Sequence, residues 1–260
     1  MPTPSITVVP ETVRATRYVA ALREGGSLPG LVEADDDGLY VVKLRGAGQG
    51  PKALVAELVA SEIGRALGLA VPRAVFVEIE PGFARAEPDP EIQDLVEASA
   101  GVNFGLDFLP GALPFDAEVA RQLDPDVAAA IVWFDALLTN VDRTPRNPNL
   151  LLWHDRLWLI DHGAALYVHH GSWPIADRAR EPFPAIREHV LLPSAGSIDE
   201  ADRRLAPMLD RDALEAVAEA LPDAWLPDSG ARDEYVTYLE RRLEEPREFA
   251  LEAERARAQA

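Results

Sequence analysis

The chain of 260 residues contains no cysteine, which excludes a disulfide framework and cysteine-based catalysis. Long apolar runs are missing too: Val127 to Leu138, among the longest, is too short to span a bilayer. Met1 to Pro10 lacks the basic start and apolar stretch of a signal peptide, so a cytoplasmic address is expected. Positive charge is scarce, with 25 Lys and Arg against 44 Asp and Glu and a net charge of −19. That balance argues against a nucleic-acid partner, because neutralising phosphates takes a basic face, and against anionic membrane surfaces. Acidity of this size reads as solubility. Neither an internal repeat nor a low-complexity tract is visible.

Lysine is the scarcest basic residue. Only Lys43 and Lys52 occur, and every other basic residue is arginine. Lys52 lies at a loop–helix junction and reads as a solvated surface charge. Lys43 interrupts an apolar strand-like run, where a buried ammonium requires a compensating partner.

What is present is enough apolar sequence, 48%, for a packed core. Leu28 to Glu33, Leu39 to Leu44 and Ala74 to Ile79 read as strands, and Asp35-Asp36-Asp37-Gly38 as the turn of a hairpin between the first two. From Lys52 to Leu67, apolar residues recur at helical spacing, and Gly68 is the expected C-cap. Pro88 to Gly101 contains a short helix, Phe104 to Leu109 reads as a strand, and Pro110-Gly111 marks the boundary between two lobes. Beyond it helices dominate. Asp124-Pro125 supplies an N-cap and a first-turn proline to an all-round apolar helix, Val127 to Leu138. Leu205 to Leu221 and Arg232 to Leu243 read as further amphipathic helices, and Glu245 to Ala260 as a helical or frayed tail.

The chemistry-bearing residues follow the apolar helix. Asn140-Val141-Asp142-Arg143-Thr144-Pro145-Arg146-Asn147-Pro148-Asn149 leads into the apolar runs Leu150 to Trp153 and Leu157 to Ile160, separated by a short polar turn. These runs read as a tight antiparallel hairpin closed by Asp161-His162-Gly163. Folding about Asp155, with partner numbers summing to about 310, places Trp153 opposite Leu157 and Asn149 opposite Asp161. Asparagine and aspartate oxygens side by side, with Asp142 just before them, suit Mg²⁺ together with nucleotide phosphates. The same order of parts builds kinase active sites: a proton-accepting aspartate, a metal-binding asparagine, and the metal-binding aspartate of an Asp-x-Gly turn. Upstream, that template asks for a glycine loop, a strand lysine and a helix glutamate. Gly25-Gly26-Ser27, Lys43 and Glu57 match those positions, with Glu62 placed on the solvent side of the same helix.

Together these segments resemble the HipA-like kinases, a branch of the protein-kinase and phosphoinositide-kinase superfamily. The likeness rests on Gly25-Gly26-Ser27 with Tyr40-Val41-Val42-Lys43, on Glu57 followed eleven positions later by Gly68-Leu69-Ala70-Val71-Pro72, and on Asn140 to Asn149 with Ile160-Asp161-His162-Gly163. It implies an α+β, bilobal protein-kinase-like fold: a small β-rich N-lobe with one helix over residues 1–111 and a larger helical C-lobe over 112–260. It further implies ATP and Mg²⁺ as cofactors, with Asp142 as catalytic aspartate, Asp161 as main metal ligand and Lys43 as the phosphate-binding lysine paired to Glu57. Gly25, Gly26 and Ser27 would cover the phosphates, Ser27 standing in the loop where HipA-like kinases can autophosphorylate, and Phe108 and Leu109 would lie in the adenine-contacting hinge. The family's usual spacing of five from aspartate to asparagine selects Asn147, whereas the hairpin register selects Asn149, which is preferred with Asn147 retained. His162 stands where many kinases carry phenylalanine, and Asn140-Val141-Asp142-Arg143 lacks the histidine of ordinary protein kinases.

The expected activity is transfer of the γ-phosphoryl group of ATP to a hydroxyl, a protein serine or threonine in preference to a small molecule or lipid head group. Two other classes compete with it. One is a non-catalytic nucleotide- or partner-binding module, against which the retained Lys43, Asp142 and Asp161 count. The other is a metal-dependent hydrolase using His154, His162, His169 and His170, whose spacings match no common zinc pattern.

Overall fold

The computed structural model describes residues 9–22, 28–48, 50–85, 87–171 and 173–260. Its N-terminal part is a closed barrel in the order β1-β2-β3-β5-β4, built from β1 (Glu11–Ala21), β2 (Gly30–Ala34), β3 (Leu39–Lys43), β4 (Ala74–Ile79) and β5 (Gly101–Asp107). Neighbours run antiparallel except β1 and β4, which are parallel. Alternation seals the barrel: Tyr40 and Val42 of β3 are fully buried inside, with Val32, Val75 and Val77. The strand β1 was not among the expected ones: most of its side chains are exposed, and charged residues break up its first half.

Two helices interrupt these strands, α1 (Pro51–Ala66) and α2 (Pro90–Ala98); the second is the short helix read within Pro88 to Gly101, so the one-helix N-lobe implied by the resemblance is corrected to two. The first begins with Pro51 after Gly50, whose φ of 67° favours glycine. It ends in a Schellman motif. Gly68 takes φ 77°, Gly68 N–H donates to the Arg65 carbonyl (3.0 Å), and Leu69 N–H donates to the Gly64 carbonyl (2.9 Å). Glu62 is half-buried on this helix, and burial raises its pKa, so it does not simply face solvent.

The C-terminal part follows β6 (Leu113–Pro114) and α3 (Ala117–Gln122). At its centre is α4 (Pro125–Leu137), capped by the Asp124 carboxylate, which accepts from Asp126 N–H (2.9 Å). Ten of its residues are buried, among them Trp133, Phe134 and, unusually, Asp135. The hairpin β7 (Leu150–Trp153) and β8 (Arg156–Leu159) completes a small sheet with β6. Around α4 pack α5 (Ile198–Leu205), α7 (Ala231–Leu243) and α8 (Glu248–Arg257), while α6 (Arg211–Glu219) packs on α7 and α1; 3₁₀ turns fill the long stretch between β8 and α5. The helix expected from Leu205 to Leu221 is broken: a 3₁₀ turn at Ala206–Met208 contains Pro207, and Asp210 caps a new helix. The tail is no frayed end, since Phe249, Ala250 and Ala253 of α8 are buried and Phe249 meets Trp133 edge-on. No helix among the described residues is long and apolar enough to cross a membrane.

Candidate active site

The barrel and the helical part meet at a cavity of about 550 Å³. One wall comes from the barrel and its exit, through Val41, Lys43, Leu106, Phe108 and Leu109. The opposite wall comes from the loop and hairpin after α4, through Asn147, Asn149, Ile160 and Asp161. A second groove of about 590 Å³ lies on the outer side of Phe108 to Pro110, beside Trp153 and Trp158, and contains none of the ionisable residues discussed next.

Lys43 ends β3 with its ammonium nearly out of water. Its Nζ lies 2.5 Å from Asp161 Oδ1 and 3.2 Å from Glu57 Oε1. Burial alone would lower its pKa, but the two carboxylates more than compensate and hold it above the ordinary lysine value, so it stays charged. Glu57 is fully buried on α1. Burial opposes its ionisation, while the Lys43 charge and the His162 backbone hold it below the usual carboxylate range. Its Oε2 accepts from His162 N–H (2.9 Å), so one side chain ties β3, α1 and the turn at Asp161 together. The His162 ring is buried beside Phe134, meeting it edge-on with ring centroids 6.0 Å apart.

The hairpin turn uses His154 and Asp155, both at positive φ (49° and 56°), a two-residue turn of type I′ character. It pairs Trp153 with Arg156 and Leu150 with Leu159. The expected register is therefore corrected by one residue: Asn149 lies opposite Ile160, whose N–H donates to the Asn149 carbonyl (3.1 Å), and not opposite Asp161. Both Asn149 and Asp161 take positive φ (49° and 52°), and Asn149 Nδ2 lies 3.4 Å from the Asp161 backbone carbonyl. The strand preference for Asn149 thus loses its register argument, although both asparagines border the cavity.

Asp142 is half-buried on the preceding loop. Its Oδ2 accepts from Asn147 Nδ2 (2.8 Å) and Asn149 Nδ2 (3.4 Å). Burial pushes its pKa up, and the nearby Asp161 carboxylate adds to the rise against the two amide bonds. Because both amide nitrogens are spent on Asp142, both amide oxygens are left to serve as acceptors. Among the described residues no group of three or more His, Cys, Asp and Glu could hold a metal by itself. A carboxylate, two amide oxygens and open space fit a hard cation that keeps water and phosphate ligands, as Mg²⁺ does.

Sequence reasoning missed several contributors. Lys52, taken for a solvated charge, donates to the His169 carbonyl (2.6 Å) and pins the start of α1 to the segment after Asp161. Asp135, Arg143 and His189 form a buried cluster beneath the Asp142 loop. The available signal was a carboxylate inside an otherwise apolar helix. His169 is buried against Tyr235 (Nδ1 to hydroxyl, 3.0 Å), a packing role that gives no support to histidine metal chemistry. Gly25, Gly26 and Ser27 lie outside the described residues.

A search of curated protein sequences finds no match. Among solved structures, the chain is similar to the Helicobacter pylori proinflammatory kinase CtkA, with a TM-score of 0.56 at 14% identity, covering 92% of this chain and 94% of that one. It also aligns with a Golgi casein kinase solved with Mn and ADP, at a TM-score of 0.49 and 14% identity, covering 95% of this chain and 74% of that one. At such identity the CtkA likeness speaks for a shared kinase fold. The sequence itself matches the family described as HipA-like kinase over residues 16–246, nearly its whole length, and the chain belongs to that family.

Proposed function

We propose that the protein is an active, ATP- and Mg²⁺-dependent kinase that moves the γ-phosphoryl group to a hydroxyl, with a serine or threonine of a protein as acceptor. The observation that carries this reading is the convergence of Lys43, Asn147, Asn149 and Asp161 on one cavity of about 550 Å³, with Glu57 bound to Lys43 and Asp142 to both asparagines just behind its wall.

In this reading Val41, Leu106, Phe108 and Leu109 offer the adenine an apolar slot. Lys43 holds the α- and β-phosphates, and Glu57 keeps it aimed. Asp161, with Asn149 or Asn147, would hold the metal. Mg²⁺, when bound with the nucleotide, offsets charge on the phosphates and the leaving group. Asp142 orients the acceptor hydroxyl and takes its proton as the new oxygen–phosphorus bond forms and the bond to ADP breaks. Its raised pKa improves it as a proton acceptor. Lys43 Nζ lies 2.5 Å from Asp161 Oδ1, so its three N–H donors would be shared between that carboxylate, Glu57 and the phosphates.

Incubation with γ-labelled ATP and Mg²⁺ tests the proposal, reading label on the protein itself, on lysate proteins and on metabolites. Wild type should transfer label, and Asp142→Ala and Asp161→Ala should not. Binding of Mg·ATP with no transfer and no hydrolysis, unchanged in Asp142→Ala, would instead mark a non-catalytic binding module.

A further inference from the structure

Beneath the proposed catalytic loop lies a charged cluster that the reaction above does not use. Asp135 is fully buried in α4 and accepts from Asn140 Nδ2 (2.8 Å), Arg143 Nε (2.5 Å) and His189 Nε2 (2.9 Å). Two of these donors reach onward to the site. Asn140 Oδ1 accepts from Asp142 N–H (3.1 Å). Arg143 Nη1 donates to the Asn149 carbonyl (2.5 Å) and, more weakly, to that of Pro148 (3.5 Å). The third donor anchors the cluster from behind: His189 Nδ1 accepts from Leu191 N–H (3.1 Å), and Val190 N–H donates to the Arg143 carbonyl (3.0 Å).

The charges are matched. With Nδ1 acting as acceptor, His189 carries its hydrogen on Nε2 and is neutral, and burial pushes its pKa down in the same sense. Burial opposes ionisation of Asp135, yet Arg143 and the His189 bond hold its pKa well below the carboxylate range. One buried carboxylate therefore faces one buried guanidinium. Such a pair is a poor source of stability, because desolvation offsets most of its attraction, and leucine at 135 would suit the apolar helix better. What the pair does supply is geometry. Asn149 sits at a left-handed φ of 49°, a conformation asparagine tolerates better than other non-glycine residues, and the guanidinium holds it there by its carbonyl.

Given the roles proposed above for Asp142 and Asn149, we infer that Asp135 and Arg143 are positioning residues for phosphoryl transfer, setting Asp142 through Asn140 and Asn149 through the guanidinium. One carboxylate in α4 thereby fixes the distance between the proton acceptor and the metal-binding asparagine. The two arms separate by experiment. Arg143→Lys keeps the charge but loses the planar fork, so the Mg²⁺ concentration needed for half-maximal ATP turnover should rise by roughly ten-fold or more, as for other residues that orient metal ligands. In calorimetry with a non-hydrolysable ATP analogue, the same variant should show a matching rise in the Mg²⁺ concentration needed for binding, a readout independent of turnover. Asn140→Ala severs only the Asp142 arm and should lower kcat with little change in the Mg²⁺ requirement. Thermal melts accompany both. A purely structural cluster would instead move both readouts together, in step with lost melting temperature, and that result would overturn the inference, as would wild-type values in both variants. Should Arg143→Lys fail to fold, Asn140→Ala decides: an unchanged kcat overturns it. If wild type itself bound no Mg²⁺-nucleotide, the reading of the site would fall, a result distinct from either variant outcome.

Discussion

Lys43 stands between two carboxylates that differ in burial, Glu57 wholly enclosed and Asp161 bordering the cavity. Removing the ammonium strands Glu57 without a counter-charge, so Lys43→Met should lower unfolding free energy by roughly 3 kcal/mol, the usual scale for breaking a buried pair. Lys43→Met/Glu57→Gln should recover much of that in denaturant titrations, since glutamine still accepts from His162 N–H, while phosphoryl transfer stays lost. Recovery of activity along with stability would show that the lysine is structural only. Asp142 gives a pH prediction. Its pKa is raised, and the Asn147 bond is one of the forces lowering it. A base must be deprotonated to act, so activity falls as pH drops through that pKa, which lies above the ordinary value of about 3.9. Asn147→Ala removes a stabiliser of the charged form and should shift the acid limb of the kcat/KM profile to higher pH; a shift to lower pH would contradict the assignment. Lys43 and Glu57 were legible in the sequence because charged residues in apolar surroundings need partners. Asp135 obeyed the same rule, but its partners, Arg143 and His189, lie 8 and 54 positions away, and no local pattern joins them.

At the level of elements, the site depends on how α4 ends. Arg242 of α7 is buried and donates to the carbonyls of Ala136 (2.8 Å) and Leu137 (2.7 Å), and to those of Ala179 and Glu181 (both 3.0 Å). It therefore terminates α4 just before Asn140 and fastens the segment beyond Asp161 to the same point. Arg242→Ala would leave four carbonyls without this donor and should cost about 3 kcal/mol or more in denaturant unfolding, with Arg242→Lys restoring only part. A loss below about 0.5 kcal/mol, the range of surface substitutions, would contradict this role. The termini of α1 and α4 were readable because capping residues act locally: Gly68 and Asp124-Pro125 mark them in both sequence and structure. Hairpin register was less readable, since a turn at Asp155 alone and a turn at His154-Asp155 differ by one residue, and only the backbone's positive φ values distinguish them. Lys52 looked solvated because its acceptor is a backbone carbonyl 117 positions away, and a carbonyl leaves no mark in composition.

Across the whole molecule, two cores divide the work. One fills the barrel around Val32, Tyr40, Val42, Val75 and Val77. The other is continuous from α1 and the outer barrel residues Phe76, Phe104 and Leu106 through α4 to α8. Trp225 fastens this junction, meeting Phe76 edge-on at 5.6 Å and donating to the Val102 carbonyl (3.0 Å), and Leu159 N–H donates to the Ala70 carbonyl (2.8 Å). Because the larger core crosses from one part to the other, near- and far-ultraviolet circular dichroism should report one coincident unfolding transition, whereas two resolved steps would mean the parts fold separately. The same continuity keeps Lys43 and Glu57 within reach of Asp161, on which the proposed chemistry depends. The decisive measurement is transfer from γ-labelled ATP in the presence of Mg²⁺ by wild type, Asp142→Ala and Asp161→Ala. The account predicts label on an acceptor with wild type and none with either variant; absence of both transfer and ATP hydrolysis in wild type, or equal transfer by all three, would contradict it.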